Sequence, residues 1–244
     1  MLCCPPAAAA ESRVVPILRA IDANYKLRKD VRADVTLTQQ RAGQGTKIIE
    51  MAYYRRDSDD AFLIVMRAPE NEKGNGYLRV GDNFWMYRRN TRTFQHVNRD
   101  ESIGGTDARG DDFETRKMEE LYGPAAGPDG KEIFSEEMLG KVPVYRFEVK
   151  AKVNDVDYPK QVFWTRRDNG LLLKQEGYSP SGTLMQTAYF LKFTELEGRF
   201  VPVKQLYIDE FEKGNKTIVE LSALVPGALE DRIFTKAYLE NLSK

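Results

Sequence analysis

The chain has 244 residues, 41% of them apolar and 30% charged, the make-up of a folded protein with a solvated surface and enough length for one substantial core. Its 37 lysines and arginines balance 37 aspartates and glutamates, so no net positive charge draws it onto a polyanion, and no apolar run is long enough to span a bilayer. One histidine, His96, and two cysteines, Cys3 and Cys4, exclude His/Cys metal centres in the folded body and leave Ser-His-Asp or Cys-His catalysis only His96 to run through.

The opening MLCCPPAAAAES lacks the basic and long apolar regions of a secretory signal. Leu2 just before a cysteine resembles the end of a bacterial lipoprotein signal, which makes Cys3 and Cys4 candidates for acylation and membrane anchoring; a cloning remnant or a mis-set start would leave the same letters. Residues 1–11 are therefore expected to be a tether or a signal remnant, and 12–244 a single domain.

From Glu11 to Tyr25 the residues Val14, Val15, Ile17, Leu18, Ile21 and Tyr25 recur at helical spacing, with Ser12 as N-cap and Pro16 tolerated in the first turn. Six strand-like runs follow, VRADVTLTQQ, TKIIEMAYYRR, AFLIVMRAP, GYLRVG, FWMYRR and RTFQHVN, broken by glycine- and asparagine-rich turns short enough to make neighbours antiparallel. An irregular excursion at about 99–140 interrupts the pattern, with one short helix whose inner face carries Met118, Leu121 and Tyr122. A second meander spans VPVYRFEVKAKV to KTIVELSAL, and the tail ALEDRIFTKAYLENLSK carries a helical turn and a last extended piece.

About a dozen strands and few helices make this a mainly β chain built on one curved antiparallel sheet. Several strands carry large apolar residues at both parities, Val201, Val203 and Tyr207 against Leu206 and Ile208, so both faces need cover. The long helix and the central excursion are the elements available for the concave side.

The stretch GDNFWMYRRNTRTFQHVNRD interleaves aromatics with arginines as a nucleic-acid surface would. In a strand hairpin, however, Trp85 and Tyr87 share one face and Phe84 and Met86 the other, with the arginines at the tip, so no nucleic-acid partner is expected beyond weak, non-specific affinity. His96 reads as a half-buried strand histidine. The carboxylates Asp107, Asp111, Asp112 and Glu114 lack EF-hand spacing, Gly43 to Lys47 joins two strands where a phosphate loop must open a helix, and Glu119/Glu120 and Glu136/Glu137 form no acid/base pair. No cofactor and no enzyme activity are expected.

From Val35 to about Tyr122 the chain resembles the LolA-like family of outer-membrane lipoprotein-sorting proteins. An apolar strand ends in APE, KGNGYLRVGDNFWMY and an arginine-bearing turn follow, and SIGGTD leads to DDFE. The resemblance implies an unclosed antiparallel barrel of about eleven or twelve strands, with helices and a loop covering a concave face that holds acyl chains. It also implies a periplasmic lipid or lipoprotein carrier with an inner-membrane transporter as partner, or a sensor or protein-interaction module of the same fold. On that reading Phe62, Ile64, Met66, Trp85 and Tyr87 are candidate cavity residues and Ile103, Phe113, Met118 and Leu121 belong to the cover. Ordinary core is the alternative for all nine, because parity in a curved sheet with bulges is not fixed by sequence.

Overall fold

The computed structural model describes residues 11–113, 118–154 and 156–244. Cys3, Cys4 and all but the last residue of the expected tether lie outside them, as does Glu114. A first helix, α1 (Val14–Tyr25), is followed by six strands: β1 (Val31–Arg41), β2 (Gly45–Arg56), β3 (Ala61–Ala68), β4 (Gly76–Val80), β5 (Asn83–Arg88) and β6 (Thr93–His96). Two 3-10 turns (Ile103–Gly105 and Gly110–Phe113), the short α2 (Met118–Leu121), β7 (Tyr122–Pro124) and β8 (Phe134–Leu139) form the central excursion. The second meander is β9 (Val142–Ala151), β10 (Lys160–Arg166), β11 (Leu172–Tyr178), β12 (Leu184–Leu196), β13 (Arg199–Asp209) and β14 (Lys216–Pro226). A 3-10 turn (Asp231–Phe234) and α3 (Lys236–Leu242) end the chain.

The strands form one antiparallel sheet, curved but not closed into a barrel, with the order β6-β5-β4-β3-β2-β1-β14-β13-β12-β11-β10-β9-β7 and with β8 also on β9. Among the described residues there are fourteen strands, two more than the sequence pattern indicates. The additional pair, β7 and β8, lies inside the expected excursion, where short runs beside Gly123, Gly127 and Gly130 give no alternation long enough to read. The tail also differs, since its last piece is the helix α3 rather than an extended segment. His96 is exposed rather than half-buried, because β6 is an edge strand and the residue sits on its open end.

The topology has a mechanical consequence. The first meander runs outward from β1 to one edge of the sheet, and the second starts at the opposite edge and runs back to β14, which pairs with β1. The chain between β6 and β7 must therefore traverse the full width of the sheet. It does so across the inner face, where Ile103, Ala108, Phe113 and Met118 are buried in the main core together with Val35, Ile49, Phe62, Phe147, Phe163 and Tyr207. Helix α1 lies in the same layer, over β13 and against α2 and β7, burying Val14, Leu18, Ile21 and Tyr25.

Ser12 Oγ accepts from Val15 N at 3.0 Å and donates to Glu132. Glu132 reaches from the excursion to accept from Arg13 N (2.9 Å) and Val14 N (3.3 Å), satisfying amides that a helix start leaves open and setting a carboxylate at the positive end of the dipole. Glu132→Ala should therefore cost about 1 kcal/mol, read as a lower denaturation midpoint and faster amide exchange in α1.

On the outer face the tail covers the first meander. Leu63, Leu78 and Tyr87 pack there with Phe234 and Leu239 from the tail, while Val144, Val162 and Trp164 form a smaller outer cluster on the second meander.

Candidate functional site

On the inner face the period of two along each strand selects the residues that meet the cover. Phe62, Ile64 and Met66 on β3 are all buried there. The register pairs Ile64 with Tyr77, Tyr77 with Met86, and Arg79 with Phe84, so Phe84 and Met86 share this side and Phe84 stacks edge-on against Phe62 with ring centroids 5.5 Å apart. Trp85 and Tyr87 consequently point to the outer face, away from the concavity. Lys236 lies 4.3 Å from the Trp85 ring centre and Phe94 packs 4.6 Å from Tyr87, so this aromatic surface is occupied by the tail and by β6.

The cover residues Ile103, Phe113 and Met118 are buried in the same cluster as Phe62, Ile64 and Met66, and Leu121 packs partly buried against it. What holds the crossing segment down is a series of polar side chains from the sheet and α1, most of which bond to its backbone. Tyr53 Oη donates to the carbonyl of Phe113 at 2.5 Å. Tyr77 Oη donates to the Ser102 carbonyl and accepts from Gly104 N, both at 3.1 Å. Lys47 Nζ and Gln39 Nε2 donate to the carbonyls of Gly104 and Gly105, each at 3.1 Å. Thr217 Oγ1 meets Asp107 Oδ2 at 2.7 Å, and Asp22 of α1 accepts from Met118 N (2.7 Å) and Glu119 N (3.0 Å). Gly104 adopts a left-handed φ of 64°, and a Cβ there would come within 2.7 Å of Ile49 Cδ1, so glycine lets the segment lie flat on β2. Sequence reasoning missed these fastenings; tyrosines at inner-face parity, whose hydroxyls need a partner when buried, were the available signal.

Among the described residues, the apolar cavity beneath the cover is small. A cavity between α1, the Gly110–Phe113 turn and strands β13 and β14, lined by Tyr25, Tyr53, Phe113, Val201, Tyr207 and Val219, has a volume of about 40 Å³. That is small against the roughly 300–1,000 Å³ of ligand pockets.

A larger and polar cavity of about 380 Å³ adjoins it and shares Asp112. Its walls are Asn98 to Asp100 and Arg109 of the crossing segment, Tyr122, residues 156–158 and the inner-face side chains Gln161, Gln175 and Gln186. Arg109 pairs with Asp157 at 2.7 Å. Burial pushes the Asp157 carboxyl above its ordinary value, Asp100 adds to the shift and Arg109 offsets part of it. A carboxyl that holds its proton more tightly when folded contributes stability at low pH that is lost as pH rises through the raised value. The Asp157 carboxyl carbon should titrate above the usual aspartate range by NMR. The native protein should also lose stability relative to Asp157→Asn over that interval.

The adjacent carboxylates are structural. Glu119 pairs with Arg19 (2.7 Å), Glu136 with Arg13 (3.1 Å) and Arg167 (2.7 Å), and Glu137 accepts from Trp164 Nε1 at 2.5 Å. Among the described residues no group of three or more His, Cys, Asp or Glu is placed to hold a metal ion, and no helix is long and apolar enough to cross a membrane.

A family model described as "Uncharacterized protein" matches residues 58–241, more than half of the chain. No curated protein matches. Among solved structures, a LolA superfamily protein from Nitrosomonas europaea superposes with a TM-score of 0.76 at 19% identity, covering 91% of this chain and 97% of its own. A candidate outer membrane lipoprotein-sorting protein domain from Vibrio parahaemolyticus gives 0.79 at 18% identity, covering 93% and 97%. A DUF1329 family protein from Desulfovibrio piger gives 0.77 at 20% identity, covering 92% and 97%. The chain belongs to the family of the matching model, and its fold is the LolA-like fold.

Proposed function

We propose that the protein binds the acyl chains of lipids or lipoproteins against the inner face of its sheet, beneath the crossing segment, and carries them in the periplasm as part of outer-membrane lipoprotein handling. The observation that supports this most is the pairing of an apolar core on the inner face, around Phe62, Ile64, Met66, Phe147 and Phe163, with a cover held to it by hydrogen bonds and packing, an attachment that can be released without breaking a strand. The Vibrio domain of the same fold, described as a candidate for lipoprotein sorting, supports the same direction. Burying roughly six to twelve methylenes contributes about 5 to 10 kcal/mol, which acts against the cost of displacing the cover. No catalytic step is involved. An acylated Cys3 or Cys4 would hold the protein at a membrane, and an inner-membrane transporter would hand it cargo.

The small residual volume favours a second reading, in which the concavity is permanently filled and the fold serves as a sensor or protein-interaction module. Titration with a fluorescent long-chain fatty acid separates the two. The carrier reading requires saturable binding, unchanged in Trp85→Ala because that ring lies on the outer face. A protein folded by circular dichroism that shows no saturable binding would favour the module.

A further inference from the structure

The inner face changes character along β10 to β12. Phe147, Phe163 and Phe190 make it apolar under α1, and beyond them come Gln161, Gln175 and Gln186, all in the wall of the 380 Å³ cavity. Gln161 pairs across the ladder with Gly177, and Gln175 with Phe163, so the two glutamines are diagonal neighbours on one face.

Gln161 is only 4% exposed, and its orientation is determined by its neighbours. Tyr122 Oη donates its single proton to the Tyr158 carbonyl at 3.1 Å, so it must accept from Gln161, whose Nε2 lies 2.5 Å away. The amide oxygen of Gln161 is thereby turned away from Tyr122 and has no partner, and the buried oxygen of Gln175 has none either. Each residue lines the polar cavity, and an unpartnered buried acceptor costs free energy until a rotation of its amide brings it to a donor. The described charged side chains of the wall are Arg99 and Arg109 against Asp100, Asp112 and Asp157, an excess of one carboxylate.

We propose that this cavity is a headgroup site that selects amphiphiles carrying a primary ammonium: its N–H groups donate to Gln161 and Gln175 and its charge meets a wall with one carboxylate in excess. The chain attached to it would run into the apolar concavity through the region of Asp112, which borders both spaces. This deepens the acyl-binding reading and rests on it for the attached chain, while the glutamine pair stands on its own geometry.

The test compares lysophosphatidylethanolamine with lysophosphatidylcholine of the same acyl chain, since choline offers no N–H donor. The ethanolamine lipid should bind roughly tenfold or more tightly. Gln175→Met and Gln161→Met should remove that preference, bringing the two lipids to equal affinity, with circular dichroism confirming the fold. Equal affinity for the two lipids, or a preference that survives in both variants, overturns the proposal.

Water-soluble glycerophosphoethanolamine and glycerophosphocholine form the second arm. If neither lysolipid binds but the ethanolamine compound selectively shifts the Gln161 and Gln175 side-chain amide resonances, the headgroup site holds and the acyl reading falls. If it binds as tightly as the lysolipid, the site takes the free headgroup and the acyl chain adds nothing. If neither compound moves those resonances and neither lipid binds, the headgroup site is wrong as well.

Discussion

Fixing the crossing segment to the sheet with Asp107→Cys and Thr217→Cys, in a background where Cys3 and Cys4 are serine, should slow lipid uptake and release at least about tenfold once the disulfide forms, and reduction should restore the rate. The two native side chains meet at 2.7 Å, so the bridge joins groups already in contact and ties the middle of the crossing to β14. The expected effect follows from space. With about 40 Å³ free beneath the cover, an acyl chain enters only when the segment moves, and a covalent tie at its centre removes that motion while leaving the folded packing in place. Uptake at the native rate by the oxidised protein would make the segment a fixed part of the core.

Loosening the same element should act in the opposite direction. Tyr53 is 4% exposed and its hydroxyl holds the carbonyl of Phe113, the last described residue of the inner turn. Tyr53→Phe keeps the ring against Phe113 and Phe62 and removes the hydroxyl that donates to the Phe113 carbonyl, at a cost of about 1–3 kcal/mol to the closed state. If the open state does not bear that cost, opening becomes roughly tenfold more frequent. Stopped-flow displacement of a bound fluorescent fatty acid should show a faster off-rate, with amide exchange accelerated in residues 103–113. An unchanged off-rate with a lowered melting temperature would mean that the bond supports the fold and not the gate.

The strands of both meanders, the helix and the position of the excursion were legible because alternation, helical spacing and glycine turns are local signals, and each lies in a segment long enough to repeat. The side of the sheet that each strand presents to the cover was not local. Phe62, Ile64 and Met66 fall on the inner face, but in β5 the aromatics fill both parities, and only the register with Tyr77 and Arg79 sends Phe84 and Met86 inward and Trp85 and Tyr87 to the tail. The polar cavity was illegible for a similar reason. Gln161, Gln175 and Gln186 stand on three strands, and a glutamine in a strand pattern reads as a solvated position until the sheet order brings the three together beneath Asn98–Asp100 and Arg109. The crossing over the inner face is a property of strand order, which pairs β1 with β14 across almost the whole chain.

Native mass spectrometry of protein purified from its own cells without detergent, followed by solvent extraction and lipid analysis, addresses acyl binding most directly. Acyl binding beneath the cover predicts a population carrying one lipid or lipid-modified peptide, lost on organic extraction and rebound on titration. A single species at the polypeptide mass, with no extractable lipid and no adduct formed when long-chain lipid is added back to the folded protein, would contradict it.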